Sequence, residues 1–208
     1  DRGLVRGLVN RAVAKICPVV DGMVHFGDLR LPVRPMIGVL ATAPAGEPIA
    51  TAHVGPHGGN MDCNRVAVGT TVHLPVRVPG ASLFVGDVHA TMGDGEVSGA
   101  GLEIGARVHL GLTLRKGGAR DWPWMETPDL LVSVGAAQGY EEASEIAVRE
   151  MMALLVERLG VSPVEAFMLV SIRGDVRANQ ACRSTIDASV RVEFPKLDGG
   201  PHRAAANG

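Results

Sequence analysis

Three stretches of this chain alternate apolar and polar residues with a period of two, and this alternation restricts the fold more than any other feature. Residues 71–78, 83–91 and 107–114 follow the pattern, which is typical of β-strands with one buried face. Pro75 cannot donate to a sheet ladder, so we expect the first strand to lie at a sheet edge or to be bulged there. Turns rich in glycine and proline separate the stretches. The pattern therefore predicts a β-sandwich or a barrel-like sheet.

The amino-acid composition agrees with a sheet-rich fold. Hydrophobic residues make up 46% of the chain but aromatic residues only 3%, so the core is expected to be aliphatic. The 27 glycines and 13 prolines indicate many turns and few long helices. Further strands are predicted at the apolar runs 36–40 and 130–134. Residues 186–194 alternate as well, which predicts a strand with one solvent-facing side.

Two helices are predicted in the second half of the chain. Aliphatic residues spaced four apart run from Ala147 to Leu159, with glutamates before them, and Gly160 ends this helix. The sequence Ser-Pro-Val-Glu at 162–165 is a capping box with proline at the first helical position. A second helix therefore begins there and runs to about Ile172.

These elements predict a mainly β fold with an α+β portion. We assign residues 1–115 to a β-rich sandwich part that carries the polar site, and 116–129 to a linker. Residues 130–197 form a smaller β-α-α-β part, and 198–208 form a polar tail. Residues 1–16 are expected to form a short amphipathic segment.

Charge, hydropathy and cysteine content exclude several functions. The net charge is −2, with no basic run and few aromatic residues, so nucleic-acid binding is not expected. No apolar run reaches the roughly 18 residues that a membrane span needs, and no signal peptide is visible. The three cysteines are far apart and form no C-x-x-C motif. They predict neither a disulfide framework nor a zinc knuckle, which favours a reducing, cytoplasmic setting.

Asp87 and His89 are the most conspicuous polar pair in the chain. They are two residues apart on a predicted strand, so they point to the same face. A carboxylate beside an imidazole suits metal ligation, or a histidine oriented by an acid. A strand-end pair on a solvated face is an equally weighted alternative.

Three further acids follow this pair closely. Asp94 and Glu96 flank a glycine, and acids in such a sequence are more commonly plain turn residues. Their closeness to Asp87 and His89 favours a functional role. Glu103 lies in an otherwise small and apolar run, so it is expected to be paired, to bind a ligand, or to have a raised pKa.

A second polar segment ends the predicted loop 43–60. His57 precedes two glycines, which allow the backbone to approach a ligand closely, but an ordinary flexible loop is the alternative. His73 and His109 lie on the polar faces of alternating strands and are expected to be exposed.

Other catalytic motifs have weak support. The chain has no Gly-x-Ser-x-Gly elbow, no P-loop and no dinucleotide-binding fingerprint. Cys182 is a candidate nucleophile, but no histidine or lysine lies near it in the sequence. A small buried thiol is the preferred interpretation.

Several motifs in a fixed order give the chain a family signature between about residues 17 and 197. Together they resemble the acetamidase/formamidase family, and the set is more specific than any one motif alone. The matching segments are 35–39, 58–62, 74–76, 79–81, 86–90, 93–96, 126–129 and 171–175.

The resemblance implies hydrolysis of a short-chain amide, such as formamide or acetamide, to the acid and ammonia. It also implies a jelly-roll-like β-sandwich joined to a smaller α+β part. A divalent metal is the implied cofactor, with Zn²⁺ expected and Ca²⁺ as the alternative. The implied site consists of His57, Asp62, Asp87 and His89 for the metal, Asp94, Glu96 and Glu103 for catalysis, and Gly59 and Asn60 for substrate binding.

Family members usually carry a further β-rich segment before the point where this chain begins. Two alternatives follow: the segment is lost by truncation, or it exists as a separate or cleaved N-terminal chain that pairs with this one. We also expect a homo-oligomer, because aliphatic sheets with open edges often assemble. Three hypotheses follow. The first is a metal-assisted amidohydrolase with Glu96 or Glu103 as general base. The second is a non-catalytic paralogue that binds a metal or small ligand, and the third is an amidase with a Cys182 nucleophile.

Overall fold

A computed structural model of the chain describes residues 3–8, 10–118, 120–182 and 187–197. Within these ranges the chain forms three antiparallel sheets and two helices, which confirms the predicted mainly β fold with an α+β portion. The strands are β1 Val19–Val20, β2 Met23–Phe26, β3 Leu29–Pro32, β4 Met36–Ala41, β5 Val54–Gly55, β6 Gly58–Asn60, β7 Thr71–His73, β8 Phe84–His89, β9 Trp124–Glu126, β10 Leu130–Ala137, β11 Asp175–Gln180 and β12 Ala188–Pro195; the helices are α1 Tyr140–Leu159 and α2 Pro163–Arg173.

The sheets and helices stack in layers around two hydrophobic clusters. The central layer is a five-stranded sheet with the order β11-β12-β10-β9-β7. Helix α1 packs on strands β10 and β12, and α2 packs on α1. The opposite face of the sheet shares a second cluster with the four-stranded sheet, whose order is β5-β6-β4-β8. Strands β1 to β3 form a separate small sheet.

Strand β10 shows how alternation distributes side chains between these layers. Leu131 belongs to the cluster under the helices, whereas Val132 and Val134 belong to the cluster between the two sheets. Gly135 faces α1 so closely that an added Cβ would overlap backbone atoms of the helix. Glycine is therefore required where the helix crosses the strand.

Both helices confirm the prediction. Gly160 takes the left-handed conformation, with φ of 70°, and its N–H bonds to the Val156 carbonyl, as expected of a helix C-terminus. At the start of α2, both hydrogen bonds of the capping box between Ser162 and Glu165 are present. No helix in the described ranges is long and apolar enough to cross a membrane.

Strands β4, β8 and β10 also form where they are predicted. Strand β7 is shorter than predicted because it ends at His73, before Pro75, and it lies at the edge of its sheet. Residues 43–60 were expected to be a loop, but they contain β5 and β6, which pair with each other.

The strand predicted at 107–114 is wrong. These residues form no strand, and Leu112 and Leu114 remain 74% and 68% exposed. Alternation favours a strand only where a neighbouring strand supplies hydrogen bonds. The described ranges offer this segment no such strand.

The predicted linker 116–129 contributes a strand to the central sheet. Strand β9 within it pairs with β7 on one side and β10 on the other, so the sheet includes residues from both predicted parts. The division of the chain into domains stays a prediction. The predicted tail, 198–208, lies outside the described residues.

The solvent-facing side predicted for strand 186–194 is wrong. Ser189, Arg191 and Glu193 are all buried because this face of β12 turns towards the four-stranded sheet, while the other face packs under the helices. Strand β11, which the sequence did not predict, covers one edge of β12. Ile186 lies outside the described residues. Residues 3–8 and 10–16 form no helix.

Candidate functional site

Asp62, Asp87 and His89 come together beside the four-stranded sheet. Each offers one ligand atom, and these atoms lie within 4.8 Å of one another. Asp87 and His89 belong to β8, and Asp62 follows β6, which flanks the same strand β4. At Gly38 in β4, an added Cβ would lie only 2.5 Å from Asp87 Oδ2 and 2.6 Å from Asp62 Oδ1. The two carboxylates therefore use the space that a side chain at this position would fill.

The backbone is strained at three acids of this region. Asp62, Asp87 and Glu96 have φ values of 41°, 58° and 41°, in the left-handed region that non-glycine residues seldom adopt. Such strain costs on the order of 1 kcal/mol or more per residue and is concentrated at functional sites. The fold therefore maintains three strained acids close to one imidazole.

His89 lies almost fully buried among carboxylates. Its Nε2 is 3.1 Å from Glu103 Oε1 and 3.4 Å from Asp87 Oδ1, and its Nδ1 is 4.0 Å from Asp62 Oδ1. A Cβ on Gly101 would overlap the imidazole ring, so this glycine packs directly against it. Glu103, for which pairing was one of three expected alternatives, contacts His89 and also forms a backbone bridge with it.

Asp62 is 1% exposed, and burial raises its pKa to about 7, with further contributions from the charges of Glu96 and Asp87. Gln180 Nε2 donates a hydrogen bond of 2.5 Å to Asp62 Oδ2. Asp62 Oδ1 is buried without a hydrogen-bond partner among the described residues. One carboxylate oxygen is thus fixed and the other is available to a ligand.

The pKa values of His89, Asp87 and Glu103 are also shifted, because several acids surround one imidazole. Burial alone would lower the pKa of His89, but Asp87 and Glu103 raise it. The contact with His89 lowers the pKa of Asp87, and burial raises the pKa of Glu103. Two carboxylates and an imidazole are donors that suit zinc or a harder divalent cation. A cation would also offset the negative charge and use the unpaired oxygen of Asp62.

Glu96 and Cys182 contact each other through their side chains. The Cys182 thiol donates to Glu96 Oε2 at 3.8 Å, although the two residues are far apart in the sequence. Gly95 holds them together, because its carbonyl accepts hydrogen bonds from the backbone N–H groups of Ala181 and Cys182. The turn that carries Glu96 is therefore attached to the end of β11.

Asp94 contacts a buried network. Its carboxylate accepts hydrogen bonds from Arg191 Nη2 at 2.7 Å and Asn64 Nδ2 at 2.6 Å. Burial opposes ionisation of Asp94, but these donors hold its pKa below the ordinary value. Its predicted catalytic role receives no support from these contacts.

The same network binds Glu193 and predicts acid-sensitive stability. Burial would raise the pKa of Glu193, but hydrogen bonds from Arg65 and Arg191 outweigh it and lower the pKa. The ionised form is therefore favoured in the folded state. This stabilisation is complete above the unfolded pKa of about 4.5 and is lost as the pH falls through the lower folded pKa.

We expect Glu193→Gln to lower the free energy of unfolding at pH 7 by about 2–4 kcal/mol, because it removes one of the two carboxylates that pair with the buried Arg191 and also the ion pair with Arg65. The variant should also lose part of the acid dependence below about pH 4.5. Urea unfolding between pH 3 and pH 7 measures both effects. Glu145→Gln, which removes an exposed ion pair with Arg149, is the control and should change stability by less than about 0.5 kcal/mol. Equal effects of the two variants would contradict this account.

The remaining predicted residues lie in the β5–β6 hairpin or elsewhere. His57 occupies the hairpin turn and is not part of the group formed by Asp62, Asp87 and His89; burial and the neighbouring His53 lower its pKa. Gly59 and Asn60 belong to β6, two to three residues before Asp62.

The prediction that His73 and His109 are exposed is confirmed for His109 only. His109 is exposed. His73 is half-buried and stacks on Trp124 with ring centroids 3.8 Å apart, because β7 pairs with β9.

Sequence reasoning missed Gln180, Gly38 and Gly101. The first fixes Asp62, and the two glycines make room for the carboxylates and the imidazole. Gln180 lies two residues before Cys182, which was a candidate nucleophile. This closeness was the one sequence feature that could have pointed to Gln180.

The chain is similar in sequence to known amidases. The sequence profile of the Acetamidase/Formamidase family matches residues 45–187, a range that contains Asp62, Asp87, His89, Glu96 and Glu103. An acetamidase from Mycolicibacterium smegmatis is 37% identical over 82 residues, 39% of this chain and 20% of that protein. A formamidase from Methylophilus methylotrophus is 33% identical over 86 residues, 41% of this chain and 21% of that protein.

The fold is likewise similar to a solved structure. The crystal structure of an acetamidase from Bacillus halodurans superposes with a TM-score of 0.87 and 37% sequence identity, covering 93% of this chain. The present chain spans 65% of that structure, and the two sequence matches cover about a fifth of each relative.

Proposed function

The chain belongs to the acetamidase/formamidase family, and we propose that it carries the catalytic residues for hydrolysis of a short-chain linear amide to a carboxylate and ammonia. The observation that carries the proposal is the cluster of Asp62, Asp87 and His89, in which Asp62 and His89 are buried and Asp87 is exposed. Its backbone is strained at both acids, and one carboxylate oxygen of Asp62 is unpaired. A carboxylate and an imidazole buried next to each other, as Asp62 and His89 are, are costly unless they bind something.

Asp62, Asp87 and His89 would hold the divalent cation. Zn²⁺ is the proposed ion and Ca²⁺ the alternative, because the donors are oxygen and nitrogen atoms without a thiolate. A divalent cation bound there would lower the pKa of a water molecule and polarise the amide carbonyl. Glu103 would orient His89 through the 3.1 Å contact between Oε1 and Nε2.

Glu96 is the proposed general base. It is nearly buried, and its charge is one of the causes that raise the pKa of Asp62, which supports a role for it beside the cluster. Its carboxylate would accept a proton as the water oxygen bonds to the amide carbon. The same proton would then pass to the nitrogen as the C–N bond breaks, so that the products are the acid and ammonia.

Substrate binding is proposed for Gly59 and Asn60. Both precede Asp62 on β6, and the Asn60 carboxamide can both donate to and accept from an amide substrate. Assembly into a homo-oligomer stays a prediction.

Ammonia release from formamide and acetamide by the purified protein tests the proposal. We expect release from both amides, and an inactive His89→Ala variant excludes a contaminating amidase. Release from neither amide would overturn the proposal and favour the non-catalytic paralogue.

A thiol mechanism is the second candidate, supported by the contact between Cys182 Sγ and Glu96. Glu96 would take the thiol proton as sulfur bonds to the amide carbon, and this proton would leave with the amine nitrogen. Water would then hydrolyse the thioester and return the thiol. Cys182→Ala should be inactive under this mechanism and should keep at least about a third of the wild-type rate under the proposed one.

A further inference from the structure

Arg191 is a fully buried arginine next to the proposed site. It lies on the face of β12 that turns away from the helices. Its Nη2 donates to Asp94 Oδ1 at 2.7 Å, its Nη1 to Asn179 Oδ1 at 2.8 Å, and its Nε to Glu193 Oε1 at 2.6 Å. All three nitrogens of the guanidinium group are therefore engaged.

Two of these bonds end beside residues of the proposed site. Asp94 is two residues before Glu96, the proposed base. Asn179 directly precedes Gln180, whose Nε2 donates to Asp62. One side chain thus fixes the two segments that carry Glu96 and Gln180.

The two segments are also joined through their backbones. Gly95 N–H donates to the Asn179 carbonyl, and the Gly95 carbonyl accepts from Ala181. Gly95 has φ of 89°, a conformation that favours glycine. The Arg191 guanidinium group adds a side-chain link between the same two segments, because it binds Asp94 in one and Asn179 in the other.

From this geometry we propose that Arg191 is a positioning residue, which sets Glu96 and Gln180 relative to Asp62. The proposal rests on the amide hydrolysis proposed above. Arginine suits the role because its planar fork binds two partners in fixed directions, which a lysine ammonium group does not do. Stability alone explains this buried ionic network poorly, since apolar side chains of similar volume often replace a whole buried ion pair without loss.

The network allows Arg191 to be replaced without leaving its acids unpaired. Glu193 also accepts two hydrogen bonds from Arg65, at 2.7 Å and 3.0 Å. Asp94 also lies 3.5 Å from Arg177 Nη1. The matched control is Arg65→Met, which removes an ion pair with Glu193 but leaves both segments bound to Arg191.

The test compares Arg191→Met, Arg191→Lys and Arg65→Met. We expect kcat for ammonia release to fall roughly 10- to 100-fold in both Arg191 variants, because a small misplacement of a catalytic group has such an effect. KM should change less than about threefold, and Arg65→Met should keep the wild-type kcat. If Arg191→Met does not fold, Arg191→Lys, which retains the charge, decides the question.

Alkylation of Cys182 by iodoacetamide, followed by mass spectrometry, gives a readout that does not depend on hydrolysis. Release of the Glu96 turn from β11 should increase the alkylation rate at Cys182 at least about threefold in the Arg191 variants, with Cys17 as internal reference. A folded Arg191 variant with wild-type kcat and wild-type alkylation would overturn the proposal. If the wild-type protein releases no ammonia, the proposed function fails, and unchanged alkylation alone then rejects the positioning role.

Discussion

Replacing Glu96 with glutamine should reduce kcat for ammonia release by roughly 10²- to 10⁴-fold, the contribution expected of a general base. The substitution preserves the size of the side chain and removes the carboxylate that is proposed to accept the proton. Glu96 is not among Asp62, Asp87 and His89, the three proposed ligands, so cation binding measured by calorimetry should change less than about threefold.

The loss of activity should not come from unfolding. The negative charge of Glu96 is one of the causes that raise the pKa of Asp62, so removing it relieves repulsion between buried acids. The thermal midpoint of Glu96→Gln should therefore equal or exceed that of the wild type. Glu142→Gln, at an exposed position in the first turn of α1, is the control. Wild-type turnover in Glu96→Gln would reject Glu96 as the base and leave Glu103 as the alternative.

Replacing Gly38 with alanine should damage the cluster without altering any of its functional groups. The new Cβ would lie 2.5 Å from Asp87 Oδ2, 2.6 Å from Asp62 Oδ1 and 2.9 Å from the Asp87 carbonyl oxygen. Side-chain rotation could relieve the first two contacts, but the third requires the backbone of β8 to move. We expect affinity for a divalent cation to fall roughly 10- to 100-fold, comparable with other disturbances around metal ligands.

The stability cost of this change should be modest, about 1–3 kcal/mol, as for an overpacked site. Gly86→Ala provides a matched control on β8, because no heavy atom lies within 4 Å of an added Cβ there. The control should bind the cation like the wild type. Equal cation affinities for Gly38→Ala and Gly86→Ala would contradict the position assigned to the two carboxylates.

The helices could be predicted from the sequence because their signals are local. A capping box at Ser162 and a glycine at Gly160 act through backbone hydrogen bonds within a few residues. The same periodic reasoning predicted a strand at 107–114, which does not form. A strand depends on hydrogen bonds from another strand, and a sequence pattern does not contain that partner.

The polar face of β12 shows a second limit of sequence reasoning. Alternating polar residues usually indicate a solvent-facing side, but Arg191 and Glu193 are buried because Arg191 pairs with both Glu193 and Asp94, and Arg65 also pairs with Glu193. The ion pair between Arg191 and Asp94 joins residues almost 100 positions apart in the sequence. Only tertiary structure brings such charges together.

The candidate site could also be predicted only in part from the sequence. The pairing of Asp87 with His89 followed from strand periodicity, since both belong to β8. The contacts of Asp62 with Gln180, and of Glu96 with Cys182, join β11 to distant segments, and no local pattern predicts them. Asp94 resembled Glu96 in the sequence, yet its side chain turns to Arg191.

The most direct test of cation-assisted amide hydrolysis is ammonia release from formamide before chelation, after chelation and after return of the cation. The protein should lose at least about 90% of its activity when a chelator has removed the ion, and Zn²⁺ should restore it in the wild type but not in Asp62→Asn. Ca²⁺ is compared in parallel as the alternative ion. Full activity after complete removal of divalent cations, verified by elemental analysis, would contradict the account and favour the Cys182 mechanism.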